Sequence, residues 1–238
     1  MRCAQTLVAL ASALGAWGCG GKDGVDARAD VGGDVARDGG ILDAGAPPQE
    51  GGASRSPIGE SRVRKRVFVT ADQWKGDLRA AANSENGFEG GDALCQIAAE
   101  NARLGGQWRA FLSGKVRGRT IHAIDRVADH AYYLLDSETL VFDDKLRMSA
   151  DALAAIRTTE RGPLGQAEAY VWTGTRDGAY RAPACEDPSG EESWSSADLA
   201  CHGGAGWTAA ATSWCFAFDP MSDGHPCAFP ASLYCFEQ

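Results

Sequence analysis

A chain of 238 residues with 32 acidic and 23 basic side chains carries a net charge of −9 and lacks the basic surplus by which nucleic-acid binders displace counterions. The same excess of acid argues against adhesion to an anionic bilayer through charge alone. Basic residues gather only locally, at Arg62, Arg64, Lys65 and Arg66 and again at Lys115, Arg117, Arg119 and Arg126, and are read as solvated edges, with a patch for an anionic ligand as the alternative.

Met1-Arg2 and the apolar run from Leu7 to Trp17 form a charged start and a hydrophobic region too short to span a bilayer. Small residues follow, so residues 1–18 read as an export signal. Ala16-Trp17-Gly18-Cys19-Gly20-Gly21 resembles the bacterial lipoprotein box, in which the cysteine is lipidated and becomes the mature N-terminus. Gly18 fits that box, whereas Ala16 replaces the usual Leu and Trp17 is bulky for its place. The expectation is a lipid on Cys19, with ordinary signal cleavage as the alternative. A lipidated Cys19 makes the membrane a partner and places the protein in the cell envelope. Gly20, rather than Asp, points to the outer membrane.

Residues 19–62 are rich in Gly, Asp and Ala, and from residue 20 on they contain no aromatic side chain. Such a segment buries too little apolar surface to offset its ordering entropy and is expected to be a disordered tether. As a random coil it would span ~35 Å. Its aspartates recur irregularly, without the repeating Gly-Gly-x-Gly-x-Asp unit of calcium-binding arrays.

Order is expected from Val63, giving one domain over residues 63–238. Arg66–Thr70 is β-branched and aromatic, hence a strand. Trp74 to Phe88 is polar and broken, hence mostly loop. Gly90-Gly91 opens a helix expected over Asp92–Leu104, with Gly105-Gly106 as its stop and Leu94, Ile97, Ala98 and Leu104 as its apolar face. Trp108–Leu112 reads as a strand, and Arg117–Asp129 as loop. Tyr132–Leu135 and Thr139–Phe142 flank Asp136-Ser-Glu138 as a hairpin. Asp151–Ile156 fits one helical turn, and Ala169–Thr173 a further strand. The end of the chain, Cys227 to Gln238, alternates as a strand buried on both faces and is expected at the centre of a sheet. One main helix, short strands and long loops make an α+β domain.

Six cysteines, Cys95, Cys185, Cys201, Cys215, Cys227 and Cys235, fall in this domain, an even set that in an exported chain reads as three disulfides. Fifteen pairings are open to them.

The Arg66–Thr70 strand, the glycine-flanked helix with Cys95-Gln96, Trp108-Arg-Ala-Phe-Leu-Ser113, Val171-Trp-Thr-Gly-Thr175, Trp194-Ser-Ser196 and the terminal Leu233-Tyr-Cys-Phe-Glu237 resemble a bacterial family of secreted lipoprotein domains of unknown function. Those domains are similar to the endostatin domain of collagen, which has the C-type lectin-like fold. The resemblance covers roughly residues 64–238. It implies bridges Cys95–Cys235 and Cys185–Cys227 and leaves Cys201–Cys215 as a local extra outside the four-cysteine pattern. The calcium- and sugar-binding motifs of true C-type lectins are missing here.

Cys201, His202, His225 and Cys227 can be drawn as a zinc set, but their spacing is not that of known fingers and an oxidising compartment favours disulfides. The chain has no nucleophile elbow, zinc-protease motif, phosphate loop or dinucleotide fingerprint. Neither a cofactor nor a catalytic residue is therefore assigned, and no enzyme is expected. Binding is the remaining role. Trp172 and Trp194 are expected in the core. Trp207 and Trp214 are expected at the surface of the extra loop, and Asp187 and Asp219 on loops of the ligand face. The resulting expectation is an envelope lipoprotein presenting a disulfide-stabilised binding or adhesion module for a glycan or protein. A secreted enzyme or inhibitor using Asp187, Asp219 or His225 is the alternative, and a purely structural envelope component is the third.

Overall fold

The computed structural model describes residues 63–165, 169–176, 180–181, 183–208, 211, 214 and 224–238. The expectations for Cys19, the export signal, the tether, Cys215 and Asp219 lie outside these residues. The fold is mixed α+β. In chain order its elements are β1 (Arg64–Val69), α1 (Leu78–Ala82), α2 (Gly87–Asn101), β2 (Trp108–Ala110), β3 (Gly114–Val116), β4 (Arg119–Ile121), α3 (Ala123–Arg126), β5 (Ala131–Tyr133) and β6 (Leu140–Phe142). A 3-10 turn, Leu146–Ser149, precedes β7 (Thr158–Thr159), β8 (Gly162–Pro163), β9 (Tyr170–Trp172), β10 (Thr175–Arg176) and β11 (Tyr180–Arg181). The last strands are β12 (His202–Gly203), β13 (Ala205–Trp207), β14 (His225–Pro226) and β15 (Ser232–Glu237).

β15 is the centre of the sheet. The strand order is β13-β9-β15-β1-β5-β6, and β2 also pairs with β15. On one side β15 runs antiparallel to β1, with Phe68 opposite Cys235. On the other it pairs first with β9, in parallel, and then with β2, antiparallel, where Cys235 faces Ala110. Strand alternation divides its side chains between two cores. Tyr234 and Phe236 join Val67, Val69, Phe111, Tyr132 and Phe142 on one face. Leu233 and Cys235 join Phe68, Leu94, Leu112, Trp172 and Trp194 on the other, against α2.

Helix α2 starts five residues before the expected Asp92 and ends before the expected Leu104. Its start is set by Asn86, whose Oδ1 accepts the N–H groups of Phe88 and Glu89 at 3.1 and 3.0 Å. The glycines within it are packing residues. A Cβ on Gly90 would stand 2.3 Å from the Leu78 carbonyl oxygen, and one on Gly91 2.6 Å from Leu112 Cδ1. Asp92 is freed from capping and accepts Arg126 at 2.7 Å and the Ala110 N–H at 2.9 Å. The buried face is Leu94, Cys95, Ala98 and Ala99, whereas Ile97 is 50% exposed, contrary to the sequence expectation.

Several other expectations are corrected. The stretch after Trp74 holds α1, capped by Asp77, which accepts the Ala80 N–H at 3.0 Å. The loop expected from Arg117 holds β4 and α3, and the turn expected at Asp151–Ile156 is replaced by the earlier 3-10 turn. Arg126 and Arg66 are not solvated edges. Arg126 is bound by Asp92 over the Phe88 ring, and Arg66 by Glu237 over Trp108. The Asp136-Ser-Glu138 hairpin forms between β5 and β6, with Asp136 Oδ1 accepting the N–H groups of Glu138 and Thr139.

Two disulfides join the parts. Cys95–Cys235 ties α2 to β15 across 140 residues, and Cys185–Cys227 closes a segment of 42. On a loop-closure argument they limit the unfolded chain by up to about 5 and about 4 kcal/mol. Cys201 lies beside the second bridge, its carbonyl accepting the Cys227 N–H at 2.9 Å.

Candidate functional site

β9 alternates Tyr170, Val171 and Trp172, so the first and third side chains share one face of the sheet. Trp172 is fully buried, while Tyr170, nearer the rim, is 40% exposed. Between them stands His225 of β14. Its ring stacks on Tyr170 at 4.6 Å between centroids and 24° between planes, and meets Trp172 at 5.0 Å. Phe229, 51% exposed, lies 6.2 Å beyond His225. Inward, Trp172 continues to Trp194 at 5.7 Å. The rings thus form one row from the core to the surface, ending in Tyr170, His225 and Phe229.

The inner rings of the row are held by hydrogen bonds to the backbone. Trp172 Nε1 donates to the Trp74 carbonyl at 2.8 Å, and Trp194 Nε1 to the Ser113 carbonyl at 3.0 Å. β14 pairs with β12, setting Gly203 opposite His225, and the Cys185–Cys227 bridge follows two residues after His225. A side chain at Gly203 has no room: its Cβ would meet Cys185 Sγ at 2.8 Å and Trp172 at 3.0 Å. His225 Nε2 lies 3.4 Å from the Pro230 carbonyl, a contact in which the ring N–H is the donor. Burial lowers the His225 pKa below the ordinary imidazole value. The Pro230 carbonyl opposes that shift, and the neighbouring His202 adds to it.

Of the residues singled out from the sequence, Trp214 is a correction. It is not exposed but fully buried, with Phe111 at 4.9 Å and Phe142 at 4.8 Å, and its Nε1 donates to the Ala150 carbonyl at 3.2 Å. Trp207 contributes its backbone to β13, opposite Tyr170, and its side chain lies outside the described residues. Asp187 spends its carboxylate inside its own turn, accepting the Ser189 hydroxyl at 2.7 Å and the N–H groups of Glu191 and Glu192 at 3.1 Å. Burial pushes its pKa up, but these hydrogen bonds outweigh it and hold the carboxyl below its usual range. The Cys201–Cys215 pairing and Asp219 lie outside the described residues. The drawn zinc set fails at Cys227, whose sulfur is bonded to Cys185. Among the described residues no three His, Cys, Asp or Glu side chains are grouped as metal ligands.

Tyr170 and Phe229 were missed from sequence. The available signal was Tyr170 two residues before Trp172 on a strand, which puts a second aromatic on the same face nearer the edge. For Phe229 there was none, because it joins the row only through His225, whose place against β9 is not written in the local sequence. Compared with known proteins, the chain matches no family model and no curated protein.

Proposed function

We propose that this chain is an exported, lipid-anchored envelope protein whose folded domain is a disulfide-stabilised binding module of the C-type lectin-like, endostatin-like kind. The contact surface in this reading is the outer end of the aromatic row, Tyr170, His225 and Phe229. One observation carries it: stacked, partly exposed rings are backed by a buried indole and fixed by a disulfide two residues away. Rigid aromatic surfaces of this sort give large contact area at little entropic cost, and they stack on sugar rings or anchor protein partners. A glycan is the ligand class favoured, since the rings are flat and a polar imidazole stands among them. The site does not depend on Asp187, whose carboxylate is already engaged within its turn.

The test is a glycan array with the oxidised domain, followed by titration of each hit against wild type and Tyr170→Ala. Removing an exposed stacking ring should weaken binding roughly tenfold or more without unfolding the domain. An array with no hit, or hits that Tyr170→Ala binds as tightly as wild type, contradicts the assignment.

A further inference from the structure

Away from the aromatic row, a cleft of about 440 Å³ opens between the start of α2 and the β3–β4 hairpin. That size falls within the roughly 300–1,000 Å³ of small-molecule sites. Glu85 and Glu89 stand on the helix side, Arg117 and Arg119 on the hairpin, and Val116 and Ile121 add apolar surface. Both walls are built. The hairpin is pinned where Glu192 Oε1 accepts the Arg117 N–H at 2.9 Å and where the Gly118 N–H donates to the Glu191 carbonyl at 3.1 Å. Arg117 itself holds a φ of 49°, the left-handed turn that brings the two arginines around the hairpin tip.

The charges of the two walls do not neutralise each other. Among the described residues, neither the Arg117 nor the Arg119 guanidinium lies within 4.0 Å of a carboxylate, and Glu85 and Glu89 form no ion pair. The first N–H groups of α2 are taken by Asn86, so anion recognition falls to the arginines. Glu192 lines the same cleft, and among the described residues its buried Oε2 has no hydrogen-bond partner.

We propose that this cleft binds a zwitterionic amino acid or short peptide, its ammonium group toward Glu85 and Glu89 and its carboxylate toward Arg117 and Arg119. A ligand with both charges satisfies both walls, whereas a simple anion or cation leaves one wall unpaired. Guanidinium groups are suited to the carboxylate because they can bind it in two-pronged fashion.

The test uses the oxidised domain and three zwitterionic probes of increasing charge separation: glycine, glycylglycine and triglycine. Amide resonances are followed at Asn86, Glu89, Arg117 and Glu192. At least one probe should shift these resonances saturably. Acetylating its amine or amidating its carboxylate should weaken binding about tenfold each. The Arg117→Gln/Arg119→Gln double variant should remove the difference between the free and the amidated probe, and Glu85→Gln/Glu89→Gln the difference between the free and the acetylated one. Because these side chains are at the surface, the variants should keep the wild-type unfolding midpoint. Absence of saturable shifts with all three probes, or blocked probes that bind as well as free ones, overturns the proposal.

Discussion

At the scale of single residues, Tyr234 shows what the double-faced strand demands. Its ring is fully buried in β15, its hydroxyl has no hydrogen-bond partner among the described residues, and burial drives its pKa far above the ordinary phenol value. An unsatisfied buried hydroxyl costs about 1–3 kcal/mol. Tyr234→Phe should therefore raise stability by ~1 kcal/mol, read as a higher urea midpoint; a fall of that size would show that the hydroxyl has a partner. His225 gives a pH signature with a definite sign. Its pKa is lowered on folding, mainly by burial, so below the unfolded value of about 6.5 the unfolded chain binds the proton more readily than the folded one. Stability should thus fall as pH drops through that window and level off below the folded pKa. His225→Gln should lose less stability than wild type between about pH 7.5 and about pH 5 in parallel urea melts. Equal losses would contradict the burial of the neutral ring. Trp214 shows why residue-level reading reaches only so far. Its Gly- and Ser-rich neighbourhood resembles an exposed loop, and only the packing of Phe111 and Phe142 around it makes it a core residue.

At the scale of elements, existence was easier to read than extent. The β5–β6 hairpin was legible because alternation and the Asp136 turn act within a dozen residues. The start of α2 was not, because glycines that look like helix breakers are there to admit neighbours. The Gly90 Cα lies where a side chain would collide with the backbone of α1. In an exposed helix Gly→Ala stabilises by up to about 1 kcal/mol. Here Gly90→Ala should instead destabilise by about 1–3 kcal/mol, the usual cost of overpacking, in thermal or urea unfolding. A more stable Gly90→Ala variant would mean that α1 and α2 are not packed this closely. Removing the cap with Asn86→Ala should cost about 1 kcal/mol by the same measurement, since Asn86 is the acceptor for two otherwise unpaired N–H groups.

At the scale of the whole molecule, the last strand organises everything else. Its apolar alternation and its cysteine were legible in the sequence, and its neighbours β1, β2 and β9 were each read as strands. Which of them pair, and in which direction, was not, because pairing depends on contacts between segments far apart in the chain, from Val171 with Ser232 to Val67 with Phe236. The row of rings was hidden for the same reason: Tyr170 and His225 lie far apart in the chain, and His225 is set beside β9 on a strand that pairs with β12 and is followed by the second disulfide. Replacing both cysteines of Cys185–Cys227 by serine should cost up to about 4 kcal/mol and loosen His225 from Trp172. The bridge between α2 and β15 is the more far-reaching claim, for it clasps the helix to the strand on which both cores are built. Mass spectrometry of non-reduced peptides from the mature protein tests it most directly. Linked peptides joining Cys95 to Cys235 and Cys185 to Cys227 are the predicted result. Free thiols at Cys95 and Cys235, or either one bonded to a different cysteine, would contradict it.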